Sequence, residues 1–136
     1  MFNYRESIAW DDIPRIDMEE LASSVVERCR KGWRLLALFG VPSPQGTETV
    51  CILADASARL LDAMRGKPAR RYSSMTPHCP QAHLFERELF ETWGIEPVGH
   101  PWLKPVRYCP SAEGRRRYRA VRGSTFWPMS ARVAAL

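Results

Sequence analysis

The sequence predicts an α+β domain, with helices packed on a mixed or antiparallel sheet. Two stretches carry apolar residues at helical spacing and are closed by glycine, at 18–31 and from Pro80 to Trp93. Between them lie short β-branched or aromatic runs broken by turn residues. A helix, a hairpin, further strands and a second helix make up a two-layer domain of this class.

Residues 1–16 are mixed in character and contain proline, and read as a lead-in. Asp17 stands three residues before Glu20, the spacing of a capping pair at a helix start. Met18, Leu21, Val25 and Cys29 then recur on one helical face, with Ala22 and Val26 beside them. Arg28, Arg30 and Lys31 crowd the last turn, where cations suit the negative end of the dipole, and Gly32 closes the helix.

Trp33 to Phe39 is apolar and bounded by Gly40 and Pro42, a buried strand. Ser43 to Gly46 has turn chemistry, and Thr47 to Ala54 is β-branched, so the two runs form a hairpin. Residues 57–65 fit either a helix or a third strand ending at Gly66 and Pro68. Arg70 to Met75 reads as another strand, stopped by Thr76 and Pro77. Pro80 suits the first turn of the second helix. Ala82, Phe85, Leu89 and Trp93 mark its inner face, widened by Phe90, while Glu86, Arg87, Glu88 and Glu91 fill the rest. Arg87 and Glu91 are spaced for an i,i+4 pair. Gly94 ends the helix, and an extended, proline-rich tail with Pro97, Pro101, Pro105 and Pro110 follows.

At 136 residues the chain suits one domain, and 45% hydrophobic with 26% charged residues is globular composition. The longest nearly apolar stretch, Leu35 to Val41, is far short of the roughly 20 residues that span a bilayer. The amino terminus has no apolar core of the signal-peptide kind. The expected location is therefore cytoplasmic, with any membrane contact made through a partner. The net charge of +5 is unevenly placed: after Pro105 come Arg107, Arg115, Arg116, Arg117, Arg119, Arg122 and Arg132, against Glu113 alone. The division expected is a domain at 1–108 and a basic, extended tail at 109–136.

The chemistry of common active centres is missing. Cys29, Cys51, Cys79 and Cys109 are scattered, with no C-x-x-C pair for an iron–sulfur or nickel–iron centre, and read as reduced thiols. His78, Cys79 and His83, with His100 or Cys109, contain zinc-type ligands, but H-C-x3-H is not a usual ligand spacing. No phosphate-cradling glycine loop or nucleophile elbow occurs. The expectation is a chain with no catalytic residue, no metal and no cofactor of its own.

One segment is far more specific. From Glu86 the chain reads E-R-E-L-F-E-T-W-G-I-E-P-V-G-H-P. This resembles the signature of the NADH dehydrogenase (complex I) 30 kDa subunit family. Glu86, Arg87, Glu88, Glu91, Trp93, Gly94, Ile95, Gly99, His100 and Pro101 match it in order and spacing. Pro97 and the continuation Trp102, Leu103, Lys104, Pro105, Val106, Arg107, Tyr108 look more like the energy-converting [NiFe]-hydrogenase and formate hydrogenlyase branch. The resemblance covers roughly residues 7–108.

The resemblance implies a single domain like that of the complex I 30 kDa subunit, acting as a non-catalytic member of a membrane-associated oxidoreductase complex. Its partners would be the large subunit and a neighbouring iron–sulfur subunit, and it would reach the inner face of the membrane only through that complex. The docking residues implied are Glu86, Arg87, Glu88, Glu91, Gly99, His100 and Pro101, with Trp93 and Trp102 as apolar anchors. Family members of the complex I type continue into a Pro-Leu-Arg-Lys segment that extends over the partner. Here the chain instead runs R-R-R-Y-R-A-V-R-G-S-T-F-W-P-M. Its arginines with one interleaved tyrosine give a rival reading, a basic nucleic-acid-binding protein using the tail.

Overall fold

The computed structural model describes residues 1–3 and 6–106; the basic tail lies outside the described residues. Those residues fall within one unit, Met1–Val106. The chain order is β1 (Phe2–Asn3), a 3-10 turn at Trp10–Asp12, β2 (Arg15–Ile16), α1 (Met18–Arg30), β3 (Arg34–Ser43), β4 (Gly46–Asp55), β5 (Leu60–Gly66), β6 (Arg71–Ser73), a 3-10 turn at Pro80–Ala82, α2 (His83–Trp93) and β7 (Glu96–Val98). The architecture is α+β, as the sequence predicts, with a mostly antiparallel main sheet.

The helix α1 buries Met18, Leu21, Ala22 and Val25, the predicted face. Its end follows the predicted chemistry: Gly32 takes φ +89°, and Trp33 N–H folds back to the Arg28 carbonyl at 3.0 Å. Its start does not. The Asp17 side chain makes no cap hydrogen bond and instead pairs with Lys67 at 3.1 Å.

The main sheet runs β1-β5-β4-β3, with β2 added to β5 in parallel. The β3–β4 hairpin turns tightly, with Ser43 opposite Gly46, and Gly46 at φ +127°. Strand β3 is longer than its sequence suggests, passing through both Gly40 and Pro42. It is the edge of the sheet, where a strand can hold proline without losing a ladder bond. Near its start a bulge falls between Leu35 and Ala37. There the Gln81 side chain stands in for a neighbouring strand, accepting from Leu35 N–H at 3.0 Å and donating to the Trp33 carbonyl at 3.3 Å.

The ambiguous 57–65 segment resolves as a turn followed by β5. Asp55 accepts hydrogen bonds from the Ser57 and Ala58 backbones, and Arg59 takes φ +56° to complete the reversal. The lead-in is more ordered than expected. Arg65 on β5 lies 4.7 Å from the Trp10 ring centre and donates to the Ile13 carbonyl, while Glu48 on β4 pairs with Arg15 at 2.9 Å.

A second, two-stranded sheet pairs β6 with β7 in parallel, with α2 as the connection between them. Strand β7 corrects the expectation of an extended tail from Pro97 onward. Pro97 sits opposite Tyr72, and the ladder bonds pass through its neighbours, from Glu96 N–H to Arg70 and from Ser74 N–H to Val98. The core between helices and sheets joins Leu21, Val25, Leu38, Cys51, Leu53, Tyr72, Met75, Leu89 and Ile95.

Candidate docking site

The site is the corner where α2 ends and the chain folds back over it. Gly94 in the left-handed conformation (φ +72°) stops the helix, its N–H bonded to the Phe90 carbonyl at 3.0 Å. After β7, Gly99 at φ +81° makes the second reversal, and His100 N–H bonds the Pro97 carbonyl at 3.2 Å. Residues 99–106 then lie along α2, held by its side chains.

Arg87 secures this loop. Its Nε donates to the Lys104 carbonyl at 2.6 Å and a terminal nitrogen to the Pro105 carbonyl at 2.8 Å. Its guanidinium also lies 4.9 Å from the Trp102 ring centre. One turn further on, Glu91 accepts from Val106 N–H at 2.8 Å. The residues spaced for an i,i+4 pair thus both spend polar atoms on loop backbone. Arg87 is buried, and its cation is satisfied by carbonyl oxygens.

The histidines are fixed in defined tautomers. Arginine only donates, so the contact of Arg87 with His83 Nε2 at 3.3 Å makes that nitrogen an acceptor. Trp102 N–H donates to His100 Nδ1 at 3.1 Å, which leaves His100 Nε2 to donate to the His83 carbonyl at 3.3 Å. The His83 ring stacks on His100 at 5.1 Å and on Trp102 at 6.1 Å. Burial lowers the pKa of His100, helped by the nearby His83 and Arg87 and opposed by the His83 carbonyl and Glu86. The His100 ring is therefore arranged as a neutral group.

Glu86 faces the other way. Sequence reasoning sets it among the docking residues; it is 0% exposed. Its carboxylate accepts from Ser74 Oγ at 2.7 Å, Met75 N–H at 2.8 Å, Thr76 N–H at 3.1 Å and Thr76 Oγ1 at 2.5 Å. It braces the turn after β6 from inside the domain. Beside it, burial and then the Glu86 charge push the Tyr72 phenol up. Trp93 is also turned inward. It is partly buried against the core, and a methyl group on Gly40 would come within 2.7 Å of its ring.

What faces outward is apolar and lies on and beside the loop: Trp102 is 52% exposed, Leu84 56% and Val98 49%. Lys104 Nζ lies 5.2 Å from the Trp102 ring centre. Pro101 is exposed next to it, and Glu88 is half-buried on α2. Leu84 and Val98 had no place in the expected set. Their signal was available: Leu84 is the apolar residue of the helix that falls off the inner face.

The zinc-type residues do not converge. Cys79 meets Cys29, whereas His83 meets His100 and Arg87. Among the described residues no group of three or more such side chains could hold an ion; Cys109 lies outside them.

The polar atoms that define this corner come from the E-R-E helix and the G-H-P loop. The model of the respiratory-chain NADH dehydrogenase 30 Kd subunit matches residues 12–117. The chain belongs to that family. It is thus a subunit of an NADH dehydrogenase-like oxidoreductase complex, and its partners are other subunits of that assembly. No curated protein is matched. Among the described residues no helix is long and apolar enough to cross a membrane.

Proposed function

We propose that this 30 kDa-family subunit is non-catalytic and docks through the 99–106 loop and its flank on α2. Its partner is the large subunit of the parent complex, beside a neighbouring iron–sulfur subunit. The observation that carries this reading is the use of Arg87. A buried guanidinium holds two loop carbonyls, and the result is an exposed Trp102 on a rigid mount with apolar Leu84 and Val98 nearby. Large aromatics on pre-ordered backbone are the usual anchors of protein interfaces, because little conformational freedom is lost on binding.

In this reading Trp102, His100, Pro101 and Glu88 meet the partner, whereas Arg87, Glu91 and Gly99 shape the loop. Glu86 and Trp93 support the site from within. The hydrogenase or formate hydrogenlyase type is the favoured parent, on the strength of Pro97 and the run Trp102–Tyr108. The subunit would serve assembly and the integrity of the electron-transfer arm, at the inner face of the membrane and only through the complex.

The test is affinity capture from native extract with wild type, Trp102→Ala and Arg87→Ala. Recovery of a hydrogenase or dehydrogenase large subunit, lost with Trp102→Ala, supports docking and names the parent enzyme. Equal recovery with all three proteins removes the loop from the interface. Recovery of nucleic acid alone, abolished by deleting residues 109–136, favours the rival reading.

A further inference from the structure

We propose that Cys29 and Cys79 are a redox-closable dithiol, which a small peroxide oxidises to a disulfide clipping the end of α1 to the turn that opens α2. The inference is independent of the docking reading.

The two sulfurs are 2.7 Å apart, although their residues are far apart in sequence. Both sit on fixed backbone. The Cys29 carbonyl accepts from Gly32 N–H at the α1 terminus. Cys79 donates its N–H to the Met75 carbonyl at 2.8 Å and accepts from Ala82 N–H at 2.9 Å. The spacing leaves no room for a metal. Two thiolates on a tetrahedral zinc, each at about 2.3 Å, stand about 3.8 Å apart. A disulfide needs about 2.05 Å, so closure asks the side chains to approach by only about 0.6 Å.

Access differs between the two. Cys29 is partly exposed and Cys79 is 1% exposed, so an oxidant meets Cys29 first and Cys79 resolves it. In the first step the peroxide O–O bond breaks and a Cys29 S–O bond forms, giving a sulfenic acid and one water. The Cys79 sulfur then attacks the Cys29 sulfur, and the S–O bond breaks. The hydroxyl leaves as a second water, carrying the Cys79 proton. Two electrons pass from the two sulfurs to the peroxide. Burial and the neighbouring Cys79 push the Cys29 thiol up to about 12, so Cys29 rests protonated at neutral pH and its oxidation speeds up as pH rises.

The full chain is treated with hydrogen peroxide, then alkylated under denaturing conditions, digested and mapped by mass spectrometry. The expected product links the Cys29 and Cys79 peptides, with Cys51 and Cys109 alkylated, and is reversed by dithiothreitol. It persists in Cys51→Ser, whereas Cys79→Ser leaves a Cys29 sulfenic acid that dimedone traps. The oxidised wild type unfolds at a higher temperature than the reduced form. A dominant link to Cys51 or Cys109, or continued alkylation of both Cys29 and Cys79 after treatment, overturns the proposal. The wild-type map decides it without reliance on any variant.

Discussion

Glu86 and Arg87 are adjacent in sequence, both charged and both buried, yet they serve opposite sides of the same helix. The carboxylate of Glu86 reaches inward and gathers donors from Ser74, Met75 and Thr76. The guanidinium of Arg87 reaches along the helix and gathers carbonyls from Lys104 and Pro105. Among the described residues, backbone amides and hydroxyls offset the Glu86 charge, and backbone carbonyls offset that of Arg87. Stability and presentation are therefore separable within one short motif, and substitutions can tell them apart.

The largest expected effect on stability is at Glu86. Glu86→Ala strands two backbone N–H groups, and chemical denaturation should show a loss of about 3 kcal/mol or more. Gly40→Ala comes next. The new methyl group would press on the Trp93 ring, and overpacking of this kind costs about 1–3 kcal/mol in the same measurement.

Arg87→Ala sharpens the comparison from the other side. Its stability loss should be about 1–2 kcal/mol, because the freed carbonyls at the loop can reach water. Capture of the large subunit should fall further than in Gly40→Ala. Arg87→Lys should restore little, since an ammonium cannot reproduce the guanidinium fork that spans two carbonyls.

The smallest effect is that of pH. The folded pKa of His100 lies below its ordinary value, so the neutral form is favoured in the native state. Its contribution is complete above the unfolded pKa of about 6.5 and is lost as pH falls through the lowered folded value. Protonated His100 can no longer accept from Trp102 N–H. Acidification should therefore shift the Trp102 backbone amide resonance in NMR, and His100→Gln should flatten that titration.

Much of the fold was legible because its signals are local. Both helices are set by apolar spacing and a terminal glycine, and the hairpin by β-branched runs around Ser43–Gly46. What stayed hidden depends on distant partners. Strand β5 could not be chosen over a helix, because S-A-R-L-L-D-A-M-R satisfies both patterns until β4 is beside it. Strands β1 and β2 are two residues each and exist through their pairing with β5. Strand β7 was hidden by Pro97, whose missing N–H is harmless in that register. At the site, the motif located the corner but not the direction of each side chain. Glu86 reads as a surface acid by periodicity, and two of its four hydrogen bonds come from backbone amides, which leave no trace in side-chain patterns. Trp93 looks like an anchor until Gly40 is seen beneath it.

The Gln81 side chain at the margin of β3 has a consequence beyond its two hydrogen bonds. A strand with a free margin invites another chain to zip onto it, and Leu36 and Phe39 would reward such a meeting. By occupying the Leu35 amide and the Trp33 carbonyl, Gln81 blocks the first rung of that ladder. A subunit synthesised ahead of its partners spends time alone in a crowded cell. One glutamine amide covers the place on such a subunit where pairing with a stray strand would start.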